Sequence, residues 1–130
     1  MAISFIAHAS AHASSGHVSI THGLTILEGD VLIAVLSVVN TGSTFASDDS
    51  EFTDDYQDAF ADGNLAIMSR VAGASEPSDY SWTISPSAVR HSVIIKQFRG
   101  VDSSVYDVAP AAGNHDENGG DLTLPSITQA

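Results

Sequence analysis

Histidines near the N-terminus are the first residues whose spacing could support chemistry. Four of them lie close together in the chain: His8, His12, His17 and His22. A zinc site needs three or four ligands that converge on one point. The surrounding alanines and serines favour a strand, on which His8 and His12 would share a face but stay well apart. We interpret this group as surface histidines, with a metal site as the alternative.

The segment 114–121 has oxygen-bearing side chains at alternate positions, like the first half of a calcium-binding loop. The candidate ligands are Asn114, Asp116, Asn118 and Asp121. Pro125 stands where such a loop would supply its bidentate acid. We therefore interpret 114–121 as a turn rich in Asn and Gly and keep calcium as the alternative. No other cofactor is predicted.

The charge of the chain is strongly one-sided, with 16 Asp and Glu against 4 Lys and Arg and a net charge of −12. This balance argues against nucleic acid and anionic membranes as partners, because basic surfaces bind both. It favours solubility, a cation or a basic partner. Asp54, Asp58 and Asp62 are spaced four apart and would line one face of a helix, which we interpret as a solvated face.

The sequence contains no catalytic signature. It has no cysteine, no G-x-S-x-G nucleophile motif and no phosphate-binding glycine loop. Ser, His and Asp are plentiful, but no spacing ties them into a triad. The apolar run Val31–Val39 is too short to span a bilayer. No Lys or Arg precedes Arg70, so no secretory signal is expected. We therefore predict a non-enzymatic protein.

Apolar residues at alternate positions predict most of the strands. Three predicted strands with short polar connections are expected to form a meander: Leu65–Arg70, Tyr80–Ile84 and Ser92–Phe98. Others are expected at Ala2–Ala7, His17–His22, Val31–Val39 and Leu122–Ile127. Because Val31–Val39 is apolar at both odd and even positions, it is expected to be a central strand covered on both sides.

The aromatic residues Tyr80 and Trp82 would share one face of their strand. We interpret them as the aromatic centre of the core. The alternative is a pair that stacks on a sugar ring at an open sheet face.

The acidic stretch Asn40–Gly63 differs from the rest. Phe52, Tyr56 and Phe60 are spaced four apart, as on one face of a short helix. Together, these patterns predict an all-β fold, an antiparallel jelly-roll-like β-sandwich with one short helical or loop insertion around residues 48–62. A single domain over residues 1–130 is expected.

Several motifs, taken in order, resemble a β-sandwich domain of tailed-phage structural proteins, of the decoration and tail type, and of related bacterial surface proteins. The most specific are RVAGASEPSDYSWT at 70–83 and FRGVD at 98–102. The resemblance covers most of the chain, from Ala2 to Asp107. The chain departs from it in its acidic stretch, and it stops soon after Ile127, where larger relatives continue with further strands.

This resemblance implies a non-enzymatic structural protein of a phage virion, either a capsid decoration (cement) subunit or a tail or fibre subunit. It would act through self-association and lattice contacts with copies of itself and other virion proteins, as a homo-oligomer such as a trimer. An open sheet edge is expected to be covered by a neighbour. The expected interface residues are Ile3, Phe5, Leu122, Leu124 and Ile127.

The alternative function is a glycan-binding or adhesive surface module, assisted by calcium. Its site would be Trp82 with Tyr80, or the loop at 114–121. An exposed Trp82 would favour this alternative, and a buried Trp82 would favour the structural protein.

Overall fold

A computed structural model of the chain describes residues 3–39, 42–48, 52–60, 63–86 and 90–101. Every regular element in these ranges is a strand. The strands are β1 (Ser4–Ala13), β2 (His17–Thr21), β3 (Val31–Val38), β4 (Thr44–Ser47), β5 (Thr53–Phe60), β6 (Gly63–Val71), β7 (Asp79–Ser85) and β8 (His91–Arg99).

The strands form two antiparallel sheets. The larger sheet has the order β1-β8-β3-β6-β5, and the smaller sheet has the order β2-β7-β4. Both sheets contribute to one buried core, which includes Leu36 of β3, Ile95 of β8 and Trp82 of β7. The predicted all-β, sandwich-like fold is thus confirmed. Its jelly-roll arrangement stays a prediction, as does the single domain over 1–130.

The meander expected after residue 64 is wrong. Strands β6 and β8 both pair with β3, where Leu36 lies opposite Ala66 on one side and Val93 on the other. Strand β7 lies in the smaller sheet, between β2 and β4. The chain therefore crosses from one sheet to the other after β6 and again after β7, so consecutive strands cover opposite sides of the core.

The helical or loop insertion predicted around 48–62 is also wrong over residues 53–60, because Thr53–Phe60 forms a strand that pairs with β6. A spacing of four fits one face of a strand as well as one face of a helix, so the aromatic pattern could not separate the two. The antiparallel pairing of this segment with β6 makes it a strand. Asp54 and Asp58 accordingly do not line a helix, and Asp62 lies outside the described residues.

One side chain of β5 ties the two sheets together. The amide of Phe45 in β4 donates to Oε1 of Gln57 at 2.6 Å, and Nε2 of Gln57 donates to the Phe45 carbonyl at 3.3 Å. β4 and β5 are both edge strands. Gln57 therefore satisfies backbone groups that an edge strand would otherwise leave open.

Candidate interaction surface

The candidate functional site is the side of the larger sheet that faces away from the core, called the outer face below. In β3, Leu32, Ala34 and Leu36 are fully buried in the core. Successive side chains of a strand point to opposite sides, so Ile33 and Val35 lie on the outer face. The pairing registers extend this alternation to the neighbouring strands.

Four rows of paired residues cross the outer face. Each row follows the order of the strands from β1 to β5: His12, Ser92, Ser37, Leu65 and Asp58; Ser10, Ile94, Val35, Ile67 and Tyr56; His8, Lys96, Ile33, Ser69 and Thr53; and Phe5, Phe98, Val31 and Val71. Large apolar side chains therefore occupy the centre and one end. An antiparallel sheet with one side in water normally carries polar residues on that side, so this face departs from the usual pattern.

Most apolar residues of the outer face are at least partly accessible, although Val31 at one end is buried. Phe5 is 56% exposed, Val71 is 47% exposed and Ile94 is 39% exposed. Ile33 and Val35 are half-buried, although they lie on the central strand. An exposed apolar patch of this kind usually marks a site of interaction with another molecule.

A shallow hollow lies on the β1–β8 side of the outer face, lined by Phe5, His8, Ile94, Lys96 and Phe98. The rings of Phe5 and Phe98 meet edge to face, with their centroids 5.8 Å apart. The ring of His8 stacks on that of Phe5 at 6.4 Å. These ring contacts form an apolar wall of the hollow, beside Lys96. The five lining residues include no nucleophile paired with a base.

Charges on the outer face are few and unevenly placed. Lys96, His8 and His12 lie on β8 and β1. Asp58 on β5 is the one acid whose pairing position falls in the four rows described above, and it accepts a hydrogen bond from the Tyr56 hydroxyl at 2.9 Å. The basic groups and the acid therefore lie on opposite sides of β3.

Two of the expected interface residues are placed by the structure. Ile3 is 65% exposed and lines a second small hollow with Val31, Ile33, Phe98 and Val101. Phe5 belongs to the outer face itself. The other expected interface residues lie outside the described part of the chain: Leu122, Leu124 and Ile127. The same is true of the candidate calcium ligands: Asn114, Asp116, Asn118 and Asp121.

Tyr80 and Trp82 lie in the core and not on an open sheet face. Tyr80 is 3% exposed and Trp82 is fully buried. The ring of Phe52 contacts both, at centroid distances of 5.2 Å and 5.3 Å. Neither ring offers a face to a ligand, so the alternative of sugar stacking is corrected, and the interpretation as the aromatic centre of the core is confirmed.

The N-terminal histidines do not converge on one point. His8 and His12 lie on the outer face, whereas Nε2 of the exposed His17 contacts Oδ2 of Asp48 at 2.8 Å. His22 is half-buried beside the smaller sheet. Within the described ranges, no three His, Cys, Asp or Glu side chains form a group that could hold a metal ion.

A buried carboxylate that sequence reasoning missed is Asp30, just before β3. Arg99 donates to it from Nε and Nη2, both at 2.7 Å, and Gln97 donates from Nε2 at 2.6 Å. The amide of Leu27 adds a bond at 2.9 Å. The Arg99 guanidinium lowers the pKa of Asp30 to about 2, against the opposing effect of burial. The group stays ionised near neutral pH and acts as a structural anchor.

Arg99 of the first anchor lies on β8, and Arg70 lies on β6, the other neighbour of β3. With Arg70, Glu76 forms a second anchor of the same type. Burial alone would raise its pKa, but hydrogen bonds from Arg70, the Tyr80 hydroxyl and the Gly73 amide lower it. Each carboxylate thus has its lone pairs occupied by donors. Neither is placed to take up or release a proton during a reaction.

Comparisons with known proteins give no relative. No family model matches the chain, no curated protein matches it, and no solved structure matches it. Among the described residues there is no helix of the length and apolar character needed to cross a bilayer. The resemblance to phage structural domains therefore stays a prediction that rests on the motifs quoted above.

Proposed function

We propose that this chain is a non-enzymatic structural subunit of a phage virion, a capsid decoration or tail/fibre component located in the particle. It works by self-association and by contacts with other virion proteins. Its phage assignment rests on the sequence resemblance, and its mode of action rests on the outer face.

The observation that carries the proposal is an exposed apolar sheet face on a strongly acidic chain. A net charge of −12 keeps most of the surface solvated and repels other copies. Exposure of Phe5 and Ile94 in water is unfavourable by about 25 cal/mol for each Å² that a partner could cover. A structural subunit gains this free energy when it assembles.

The buried aromatic pair supports the same choice. A sugar-binding module needs an aromatic ring whose face is open to the ligand. Because Trp82 and Tyr80 are enclosed by the two sheets, no described feature favours the adhesive alternative over the structural subunit.

The first test is the mass of the purified full chain, measured by light scattering with calcium and with chelator. We expect an oligomer, at least twice the 13.5 kDa of one chain, whose size is the same in both solutions. A monomer at all concentrations would contradict self-association. An oligomer that forms only with calcium would favour the adhesive alternative.

The virion assignment needs a separate measurement. Virus-sized particles purified from the same source should contain peptides of this chain in amounts comparable to those of other structural proteins, by quantitative mass spectrometry. Its absence from such particles, with the protein present elsewhere in the sample, would contradict the assignment.

A further inference from the structure

The outer face has a symmetry that suggests how two copies would meet. β3 is the middle strand of the five, with β8 and β1 on one side and β6 and β5 on the other. A two-fold axis along β3 would therefore place β1 of one copy over β5 of its partner, and β8 over β6. An interface of this type uses the same patch on both copies.

We propose that the outer face binds a second copy of this chain, face to face, about a two-fold axis that runs along β3. This inference rests on the proposed function and names the surface and the partner through which it operates. The four rows of paired residues then lie opposite the same rows of the partner, at the spacing of about 10 Å that is usual for packed sheets.

The apolar residues match under this axis. Val35 lies on the axis strand and meets Val35 of the second copy. In the same row, Ile94 of β8 lies opposite Ile67 of β6. The largest apolar side chains of the centre thus cover one another, and the sheet gains the second apolar layer that the sequence of β3 predicts.

The charges also match. His12 and Asp58 occupy the two ends of one row, which reads His12, Ser92, Ser37, Leu65, Asp58. The two-fold axis brings His12 of each copy to Asp58 of the other, so that an imidazole N–H can donate to the carboxylate. An axis across the strands would instead bring His12 towards His8, with no such gain.

The charge of the whole chain favours this face over the rest of the surface. Two copies with a net charge of −12 each repel one another wherever their acids approach. The four rows place one acid, Asp58, on the outer face and set Lys96 and two histidines on the opposite side of β3. With one acid in the four rows, like-charged copies repel one another little across this face.

The size of the face is adequate for a stable contact. Strands of eight residues, as in β3, in a sheet of five strands give a flat area of about 600 Å² per copy. Standard protein interfaces bury about 800 Å² of accessible surface per partner. The flat area of the outer face is therefore about three quarters of that value, at the lower end of the range of about 600 to 1,000 Å² per partner that stable interfaces bury.

The first part of the test is Ile94→Glu in the full chain, with Leu27→Glu as its control. Both positions are exposed, at 39% and 50%, but Leu27 lies in the loop before β3 and outside the four rows of the outer face. Light scattering and sedimentation over about 1 to 100 µM would give the dissociation constant. We expect Ile94→Glu to weaken self-association at least about tenfold and Leu27→Glu to leave it unchanged.

The second part tests the orientation by a charge exchange. His12→Glu places two acids together and should weaken the dimer about tenfold, and Asp58→Lys should weaken it less. The double variant His12→Glu/Asp58→Lys restores an opposite-charge pair and should recover most of the affinity. A double variant as weak as the sum of its single changes would overturn the axis along β3.

The outcomes separate this inference from the proposed function. A monomeric chain overturns both. If Ile94→Glu then also lowers the melting temperature more than Leu27→Glu does, residues 102–130 or other parts of the same chain cover the face. An oligomer that Ile94→Glu does not weaken leaves self-association standing and overturns the outer face as its site. A trimer that Ile94→Glu dissociates supports the face but overturns the two-fold axis.

Discussion

The two sides of the larger sheet are built from the same strands but meet different surroundings. On the inner side, Leu36 and Ile95 are fully buried against the smaller sheet. On the outer side, their chain neighbours Val35 and Ile94 are also large and apolar, yet Ile94 is 39% exposed. Both sides of the sheet thus carry large apolar side chains, but the inner side is covered by the smaller sheet and the outer side is partly exposed.

This difference shows that the alternation of side-chain direction does not have to coincide with an alternation of polarity. In β7, polar residues alternate with apolar ones, and the strand has one wet side. In β3, both sides are apolar, which is typical of a strand buried on both sides. The smaller sheet covers the inner side alone, and the outer side is the face for which we propose a partner.

Adjacent isoleucines of β8 give the largest expected contrast. Ile95→Ala should lower the free energy of unfolding by about 3 kcal/mol, because it leaves a cavity in the closed core. Ile94→Ala should lower it by less than about 1 kcal/mol, because the lost side chain is partly exposed in the single chain. Urea denaturation at a protein concentration below the dissociation constant measures both.

The same pair of variants should behave in the opposite order when self-association is measured. Ile94→Ala should weaken it, whereas Ile95→Ala should leave the affinity of the folded chain nearly unchanged. Equal losses of unfolding free energy for the two variants would contradict the difference between the two sides of the sheet, because they would mean that the outer face is already covered within one chain.

The buried charge at the inner side gives the next largest effect. Asp30→Asn removes the charge that holds Arg99 and Gln97, and it should cost about 2 kcal/mol of unfolding free energy. The cost is moderate because Arg99 is 41% exposed and can turn to water. Glu28→Gln removes the same charge from an exposed position two residues away, and its urea midpoint should stay close to that of the unaltered chain.

The pH dependence of stability gives a second test of the buried charge of Asp30. The pKa of Asp30 is about 2 in the folded chain, against an ordinary value of 3.8. Because the folded value is the lower one, the ionised carboxylate stabilises the fold above pH 3.8, and this contribution is lost as the pH falls towards 2. The loss amounts to about 2 kcal/mol.

Urea midpoints measured between pH 7 and pH 2.5 would isolate the part due to Asp30. The unaltered chain should lose more stability over this range than Asp30→Asn does, since the variant has no carboxylate to protonate. Glu76 has a lowered pKa too, so some loss should remain in the variant. Parallel curves for the two proteins would show that Asp30 is not ionised in a paired state.

The sequence predicted best those strands in which polar and apolar residues alternate together with the direction of the side chains. Tyr80, Trp82 and Ile84 alternate with polar residues, and all three are buried in β7 as expected. The acidic stretch was harder, because a spacing of four between aromatics suits both a helix and a strand. Pairing of β5 with β6 and the bond from Gln57 to β4 decided between them, and neither contact can be read from local sequence.

The candidate site was only partly predictable for a similar reason. Ile3 and Phe5 were expected to form contacts, and the apolar sequence of Val31–Val38 indicated two covered sides. The outer face itself depends on strand order and register, which bring together residues from five separate segments. The anchor of Asp30 and Arg99 joins residues 69 positions apart, and a single sequence gives no signal for such a pair.

The smallest expected effect comes from the polar row of the outer face. The hydroxyls of Ser37 and Ser92 lie 2.9 Å apart on adjacent strands, and this bond is exposed. Ser37→Val would make β3 apolar along its whole outer side, as it already is on the inner side. The free energy of unfolding should change by no more than about 0.5 kcal/mol. The dissociation constant of the proposed dimer should fall about threefold, because more apolar area becomes covered on each copy.

The matched control is Ser19→Val, the same change on the exposed side of β2 in the smaller sheet. It should leave self-association unchanged, because β2 lies outside the outer face. If both valines strengthen association equally, added apolar surface promotes contacts without regard to place, and the outer face loses its special role. If Ser37→Val weakens association while the fold is intact, the hydroxyl row itself contacts the second copy. The interface would then be more polar at this end than its centre, and the row of His12 and Asp58 would be its hydrogen-bonded rim.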